Sequence, residues 1–267
     1  MRELQSLQLC QAFARFCLPA LVLCSLLISP GASLAREPGT LVAVATNFAP
    51  TAERLLAAFA QLSSAPLRLT SGSSGKLFAQ ITEGAPYDLF LSADAERPAR
   101  LEQLSLVVPG YRKTYALGTL VLWSTDPALV GNDGSATLRA QNYRRLAIAN
   151  PALAPYGAAA RDVLQGLQLY QPLASVIVRG ENVGQAFAMI ASGNAELGFI
   201  AGSALRNATQ GSHWPVPAEL HQPIQQQVVL LRRALENPVA RDFFEFLSSD
   251  AALAVIRADG YRLDGER

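Results

Sequence analysis

Cysteine is scarce in this chain and is absent beyond residue 24. The three cysteines, Cys10, Cys17 and Cys24, all lie in the N-terminal leader described below. A mature chain without that leader has no thiol, which excludes disulfides, cysteine-ligated zinc and cysteine nucleophiles together. Histidine is also scarce, with His213 and His221 only. A histidine-dependent zinc site or acid–base catalyst would therefore depend on these two residues.

An excess charge of either sign is missing too. Once the leader is removed, 20 basic and 20 acidic side chains remain, because Arg2, Arg15 and Glu3 belong to the leader. A neutral surface argues against nucleic acid or an anionic membrane as the partner. No apolar stretch after the leader is long enough to span a bilayer. The composition thus favours an exported globular protein with one large or two small domains.

The leader has the order of a secretory signal. Arginines precede the apolar run "FCLPALVLCSLLIS", and the small residues of "GASLA" follow it. This order predicts a signal peptide over 1–35, cleaved after Ala35, and hence an exported protein. One alternative is a retained anchor, for which the run is short and interrupted by proline. The other is a lipid-anchored Cys24, which the bulky Leu23 before it disfavours.

After the leader, short apolar runs alternate with helical patterns. The runs are "LVAVA" (41–45), "LRLT" (67–70), "DLFLS" (88–92), "YALGTLVLWS" (115–124), "LAIAN" (146–150), "SVIV" (175–178), "ELGFI" (196–200) and "QQQVVLL" (225–231). We expect each to form one strand, the run at 115–124 being the longest. Repeated alternation of strand and helix predicts an α/β fold with parallel sheets covered on both faces.

Small polar residues follow four of these strands at the point where a helix begins. They are Thr46 and Asn47, "SGSSG" (71–75), "NPALAPYG" (150–157) and "GEN" (180–182). Ligands of open α/β sheets bind beyond the carboxyl ends of the strands, and helix N-termini favour anions. Four such openings indicate an anion site. The competing interpretation is structural: Asn47 and Ser74 as helix caps, the Tyr156 ring as packing and the glycines as turn formers.

The stretch "SGSSGK" does not form a nucleotide-binding P-loop. That motif requires four residues between its glycines and a Ser or Thr after the lysine. Here two residues separate Gly72 from Gly75, and Leu77 follows Lys76. A nucleotide phosphate is therefore excluded as the ligand of this turn. We expect the Lys76 ammonium to face solvent.

Several motifs together resemble one family. "VAVATNF", "SGSSGKLFAQITEGAPYDLFLSAD", "LAIANPALAPYGAAARDVL" and "ASGNAELGF" (191–199) are similar to the periplasmic molybdate-binding proteins of molybdate ABC importers, from about residue 40 to 261. The resemblance implies a type II periplasmic binding fold, in which two doubly wound α/β lobes are joined by crossing strands around a ligand cleft. The implied lobes are 36–117 with 222–267, and 118–221.

The resemblance also implies the ligand-binding residues. Some members use a tyrosine hydroxyl where this chain has Ala201, so we expect the Asn47 side chain to compensate. Ser74 is expected to donate both its hydroxyl and its backbone N–H, and the second lobe to donate backbone N–H groups. The implied set is Thr46, Asn47, Ser74, Tyr156 and Val183.

The expected function is binding of molybdate, and of tungstate, for delivery to the membrane permease of an ABC transporter. The expected protein is a monomer that is not an enzyme, uses no cofactor and contacts a metal only through the oxyanion. The alternatives are binding of another tetrahedral anion such as sulfate, binding of ferric ion through Tyr156, or hydrolysis. Hydrolysis would use His213 and His221, or an acid–base pair of Asp88 and Asp94. The "NAT" sequence at 207–209 is interpreted as a chance match to a glycosylation site.

Overall fold

The computed structural model describes residues 39–208 and 210–265. The predicted signal peptide and the last residue of "NAT" lie outside these ranges, so both interpretations stay predictions. Within them, no helix is both long and apolar enough to cross a membrane. The described chain folds into two five-stranded sheets with helices packed on them.

The first lobe is built on a sheet with the strand order β2-β1-β3-β10-β4. Its strands are β1 (Thr40–Ala45), β2 (Leu67–Gly72), β3 (Leu89–Ser92), β4 (Val107–Gly118) and β10 (Ile224–Leu231). Its helices are α1 (Ala49–Phe59), α2 (Ser74–Thr82), α3 (Glu96–Gln103), α7 (Pro238–Phe246) and α8 (Asp250–Ala258), with a 3₁₀ turn at Arg232–Ala234. Strand β1 pairs with β2 and β3 in parallel, whereas β10 runs antiparallel to β3 and β4.

The second lobe has a sheet with the order β7-β6-β8-β5-β9. Its strands are β5 (Leu120–Ser124), β6 (Leu146–Ala149), β7 (Ile177–Gly180), β8 (Leu197–Ala201) and β9 (Ser212–Pro215). Its helices are α4 (Gly134–Ala140), α5 (Pro155–Gly166) and α6 (Val183–Ala191), with 3₁₀ turns at Gly202–Asn207 and Ala218–Leu220. Strand β6 is parallel to β7 and β8, and β5 is antiparallel to β8 and β9. The expectation of purely parallel sheets is therefore corrected to mixed sheets.

Both sheets are buried on their two faces. Along β3, Leu89 and Leu91 pack into one hydrophobic cluster of the first lobe, and Phe90, between them, packs into another. Along β5, Leu122 packs into one hydrophobic cluster of the second lobe, and Trp123, the next residue, packs into another. Strands that are buried on both faces form continuous apolar runs in the sequence, and these runs predicted where the strands lie.

The run at 115–124 is not one strand, as the sequence predicted, but two. Gly118 pairs with Ile224 in the first sheet, whereas Leu120 pairs with Ala201 in the second. The apolar pattern is the same in both halves because both are buried, so it does not record the change of sheet. The chain crosses back between β9 and β10. The exact lobe boundaries at 117/118 and 221/222 stay predictions.

Candidate functional site

A small cavity lies between the lobes, where α1, α2, α5 and α6 begin. Its walls bound about 190 Å³ of space, part of which is open to solvent. The five residues implied as ligand-binding all line it: Thr46, Asn47, Ser74, Tyr156 and Val183. In the first lobe, Thr46 and Asn47 follow β1 and Ser74 begins α2. In the second lobe, Tyr156 and Val183 lie in the first turns of α5 and α6. The fold thus brings together residues that are far apart in sequence, while their contact with a ligand stays a prediction.

Two hydroxyl groups of the first lobe are available to donate in this cavity. The Thr46 Oγ1 atom is buried and has no hydrogen-bond partner in the described chain. The Ser74 Oγ atom accepts a hydrogen bond from the Ala93 N–H at 3.0 Å. A hydroxyl that accepts in this way keeps its own proton for another acceptor. Both hydroxyls therefore suit a ligand that offers only lone pairs.

Four backbone N–H groups add to these donors. Ser74, Tyr156 and Val183 lie in the first turns of α2, α5 and α6, where helix geometry leaves N–H groups without intrahelical partners. Asn47 lies in the turn before α1. Among the described residues, none of these four N–H groups donates to another backbone group. The cavity thus gathers six uncharged donors and, at three helix starts, the positive ends of helix dipoles.

The helix caps are not the residues that the competing interpretation proposed. The cap of α2 is Ser73, whose Oγ accepts from the Lys76 N–H at 3.4 Å, and the residue before α1 is Phe48. Because Ser73 performs the capping, Ser74 is free for another role. The cap interpretation of Ser74 and Asn47 is therefore wrong.

Among the residues that the structure describes, no Lys, Arg, Asp or Glu lines this cavity. Of the described residues that do line it, Tyr156 carries the titratable group, and its hydroxyl is buried beside Gly118. Burial, and after it the neighbouring Tyr261, raise the pKa of Tyr156 well above the usual value for tyrosine. The phenol therefore stays protonated at neutral pH, and the site presents donors without fixed charge.

The two lobes are in close contact around the cavity. The Gly75 N–H donates to the Leu153 carbonyl at 2.8 Å, and the Arg97 Nη2 donates to the Ala152 carbonyl at 3.3 Å. A Cβ atom at Gly75 would lie 2.9 Å from the Leu153 carbonyl oxygen. This glycine of "SGSSGK" is therefore needed for the approach of the lobes.

The Lys76 side chain is exposed, as expected, and its ammonium is also paired. Its Nζ lies 3.2 Å from Glu181 Oε1 of the second lobe. This ion pair bridges the two lobes outside the cavity. It also keeps the Glu181 carboxylate engaged, and this carboxylate does not line the cavity.

The Asn47 side chain does not compensate for a missing tyrosine in the way expected. Its Nδ2 donates to Gln226 Oε1 at 2.8 Å and to the Tyr261 hydroxyl at 3.2 Å. The amide is therefore occupied in holding the turn, and the backbone N–H is the donor that Asn47 offers to the cavity. Ala201 lines a second, larger cleft, which spans about 1040 Å³ including space open to solvent and shares Thr46, Asn47 and Val183 with the small cavity. Sequence reasoning missed Gln226 and Tyr261 as supports of the Asn47 turn. Neither a glutamine in an apolar strand nor a tyrosine after the last helix carries a local signal of that role.

The residues considered for hydrolysis do not form a catalytic group. Asp88 Oδ2 accepts from the Leu41 N–H at 2.7 Å, and Asp94 Oδ1 caps α3 through the Arg97 N–H at 3.0 Å. His213 is exposed on β9, and His221 contacts a neighbouring carbonyl at the surface. In residues 39–208 and 210–265, no cluster of His, Cys, Asp and Glu is arranged to hold a metal ion. Hydrolysis and ferric binding therefore gain no support.

Comparison with known proteins gives the family. The family model described as bacterial extracellular solute-binding protein matches residues 40–262. The chain belongs to this family. This solute-binding protein is 42% identical over 232 residues to Molybdate-binding protein ModA of Rhodobacter capsulatus, covering 86% of this chain and 91% of that protein. It is 41% identical over 225 residues to Molybdate-binding protein ModA of Azotobacter vinelandii, covering 83% and 89%.

The solved structures agree with the fold of this solute-binding protein. The Azotobacter vinelandii periplasmic molybdate-binding protein superposes with a TM-score of 0.80 at 42% identity, covering 84% of this chain and 99% of that chain. The sulfate-binding protein SubI of Mycobacterium tuberculosis H37Rv superposes with a TM-score of 0.70 at 16% identity, covering 85% and 86%. The second likeness shows the fold alone. The two-lobed periplasmic binding fold expected from the sequence is confirmed.

Proposed function

We propose that this protein binds molybdate in the periplasm and delivers it to the membrane permease of an ABC transporter. The observation that carries the proposal is the convergence of six uncharged hydrogen-bond donors from both lobes on one small cavity. The identity of 42% to proteins named for molybdate binding supports this choice of anion. Sulfate, the alternative, is represented by a relative at 16% identity.

Neutral donors are sufficient to hold a dianion. Molybdate has four oxygens that accept hydrogen bonds and carries no proton near pH 7. Hydrogen bonds to a charged group contribute about 1.5–3 kcal/mol each, so six give a gross stabilisation on the order of 10–20 kcal/mol. This is enough to offset an association cost of about 4–15 kcal/mol. Opening of the lobes would then release the anion without leaving a buried Lys or Arg unpaired.

The donor set also favours one class of tetrahedral anion. Hydrogen phosphate needs an acceptor for its remaining proton, and the carboxylate nearest in sequence to Val183, that of Glu181, is paired with Lys76 outside the cavity. Sulfate has the same charge as molybdate, but its S–O bonds are shorter than Mo–O bonds. The size of the cavity would therefore separate the two anions. Tungstate matches molybdate in size and charge, and we propose that it binds as well.

The remaining properties follow from this role. We propose a monomeric, periplasmic, non-enzymatic protein without a resident cofactor, whose partners are the oxyanion and the permease. Val183 and Tyr156 would contribute backbone N–H groups, and Thr46, Asn47 and Ser74 the donors of the first lobe. The metal would be contacted only through its oxygens.

Isothermal titration of the purified mature protein with molybdate, tungstate, sulfate and phosphate tests the proposal. We expect saturable binding of molybdate and tungstate at a 1:1 ratio, with sulfate at least about a hundredfold weaker and phosphate weaker still. Saturation by sulfate alone would favour the alternative. Absence of heat with both molybdate and tungstate would overturn the proposed function.

A further inference from the structure

A buried glutamine sits beneath the anion site. Gln226 on β10 is fully buried, and its Oε1 accepts hydrogen bonds from Asn47 Nδ2 at 2.8 Å and from the Tyr115 hydroxyl at 3.2 Å. The Tyr115 hydroxyl has a single proton, which it can also donate to the Ser92 carbonyl at 3.2 Å, so the Asn47 amide is the donor that sets the orientation of the Gln226 amide. The Nε2 atom must therefore point the other way.

Gln226 Nε2 and the Tyr156 hydroxyl face the same small space from opposite lobes. Both atoms are buried, and in the described chain neither makes a hydrogen bond of good geometry. Burial has the larger effect on the pKa of the Tyr156 hydroxyl and raises it, but the Gln226 amide is close enough to lower it in part. A Cβ atom built at Gly118 would lie 2.2 Å from the Tyr156 hydroxyl and 3.0 Å from Gln226 Nε2. Gly118 ends β4, where the chain passes from one lobe to the other. Buried polar atoms without partners are rare in proteins and call for a specific explanation.

The Asn47 turn is held by a second contact of the same network. The Tyr261 hydroxyl donates to the Asn47 carbonyl at 2.7 Å and accepts from Ser203 Oγ at 3.0 Å, a residue of the second lobe. Tyr261 thus fixes the backbone of Asn47, while Gln226 fixes its side chain. The N–H group that Asn47 offers to the cavity is positioned by both.

We propose that Gln226 is a positioning residue that couples the two halves of the anion site. Its carbonyl oxygen holds Asn47 of the first lobe, and its amide nitrogen is directed at the hydroxyl of Tyr156, whose backbone N–H belongs to the second half. The amide and the hydroxyl lie next to each other at Gly118, where the chain passes between the lobes, so Gln226 links the turn of Asn47 to the start of α5. This inference rests on the proposed function.

The test compares Gln226→Met with Gln225→Met as the matched control. Methionine retains the volume of glutamine without its amide. Gln225 is the neighbouring residue on β10, and its Nε2 donates to Thr114 Oγ1 at 2.9 Å, away from the cavity. We expect Gln226→Met to weaken molybdate binding by about ten- to a hundredfold in titration calorimetry, and Gln225→Met to leave it within about twofold.

The melting temperature of the ligand-free protein separates positioning from general stability. We expect Gln226→Met to melt below the Gln225→Met control, because Asn47 Nδ2 and the Tyr115 hydroxyl lose an acceptor, whereas Tyr156→Phe should melt no lower than wild type. Tyr156→Phe deletes the hydroxyl and keeps the backbone N–H, and it should weaken binding on its own. In a double-mutant cycle, Gln226→Met combined with Tyr156→Phe should lose less affinity than the two single changes added together.

Each outcome decides the matter. Wild-type protein that binds molybdate, together with wild-type affinity in either Gln226→Met or Tyr156→Phe, overturns the coupling and leaves the proposed function standing. Strict additivity of the two changes also overturns it. Should Gln226→Met fail to fold, Tyr156→Phe alone decides. Wild-type protein without molybdate binding overturns the inference and the proposed function together.

Discussion

The two lobes supply the same cavity by different means. The first lobe offers side-chain hydroxyls of Thr46 and Ser74 as well as backbone N–H groups, whereas the second offers only the backbone N–H groups of Tyr156 and Val183. In the second lobe, the side chains of these two residues are buried and serve packing. A substitution therefore removes a donor directly in the first lobe, but in the second lobe it does so only by changing the backbone.

Because the donors are divided between the two lobes, binding would need the lobes to close on the anion. Donors from one lobe alone leave the anion half solvated, so affinity depends on the approach of the other lobe. That approach relies on residues without side chains: Gly75 against Leu153, and Gly184 against Thr46, where a Cβ atom would lie 2.5 Å from the threonine methyl group. Glycine is thus as important to the site as the donors are.

The largest effect is expected from keeping the lobes apart. Gly75→Ala places a Cβ atom 2.9 Å from a backbone oxygen of the second lobe, so the lobes must separate and the two donors of that lobe lose their geometry. We expect molybdate affinity to fall by about a hundredfold or more in calorimetry. Gly166→Ala at the end of α5 is the control, since its Cβ atom would meet no other atom within 4 Å. Equal affinities for the two variants would contradict the role of closure.

Removal of a first-lobe donor should have the next largest effect. Ser74→Ala and Thr46→Val each delete one hydroxyl while preserving the backbone, and we expect each to weaken molybdate binding about ten- to a hundredfold. Asn47→Ala should weaken it by an order of magnitude or more, since it frees the turn from Gln226. Calorimetry measures all three. Titration curves unchanged from wild type would show that the site lies elsewhere.

The second lobe is tested by a pair of changes at one position. Val183 is the first residue of α6, where proline is tolerated, and Asn182 before it has the extended backbone that proline requires. Val183→Pro removes the N–H group and should cost about tenfold in affinity. Val183→Ala keeps the N–H group and should stay within about threefold. If alanine were the more damaging change, the side chain rather than the backbone would be the contact.

The smallest effect is expected from the ion pair that bridges the lobes. Both Lys76 and Glu181 are partly exposed, so the pair is screened by solvent and salt. Lys76→Met should change the molybdate dissociation constant by about threefold or less at 0.15 M salt. The difference should shrink at 1 M salt. A loss that matched Ser74→Ala and persisted at high salt would instead make Lys76 a direct anion ligand.

Much of the fold was predictable because it follows from local patterns. Continuous apolar runs marked the buried strands, and polar residues after four of them marked the openings of the site. The single strand expected at 115–124 was wrong because burial on both sides gives one pattern, whichever sheet the residues join. Parallel sheets were expected for a related reason, since the pattern does not record that β10 enters the first sheet in the antiparallel direction.

The residues that line the cavity were predictable from the sequence, but the residues that support them were not. Thr46, Ser74, Tyr156 and Val183 stand next to strand ends or helix starts, where a local pattern reports them. The contact between Asn47 and Gln226 joins residues 179 positions apart. Nothing near either residue in the sequence indicates that pairing, which led to the wrong expectation for the Asn47 side chain.

The sequence by itself determined where the helices begin and which small polar residues open them, because capping, turns and apolar periodicity depend on neighbours within a few residues. Only the tertiary structure decided that these openings meet at one cavity, that Gly75 and Gly184 allow the lobes to touch, and that Lys76 pairs with Glu181. The physical reason is that convergence depends on strand order and on two crossings between sheets, which place distant residues within hydrogen-bonding distance.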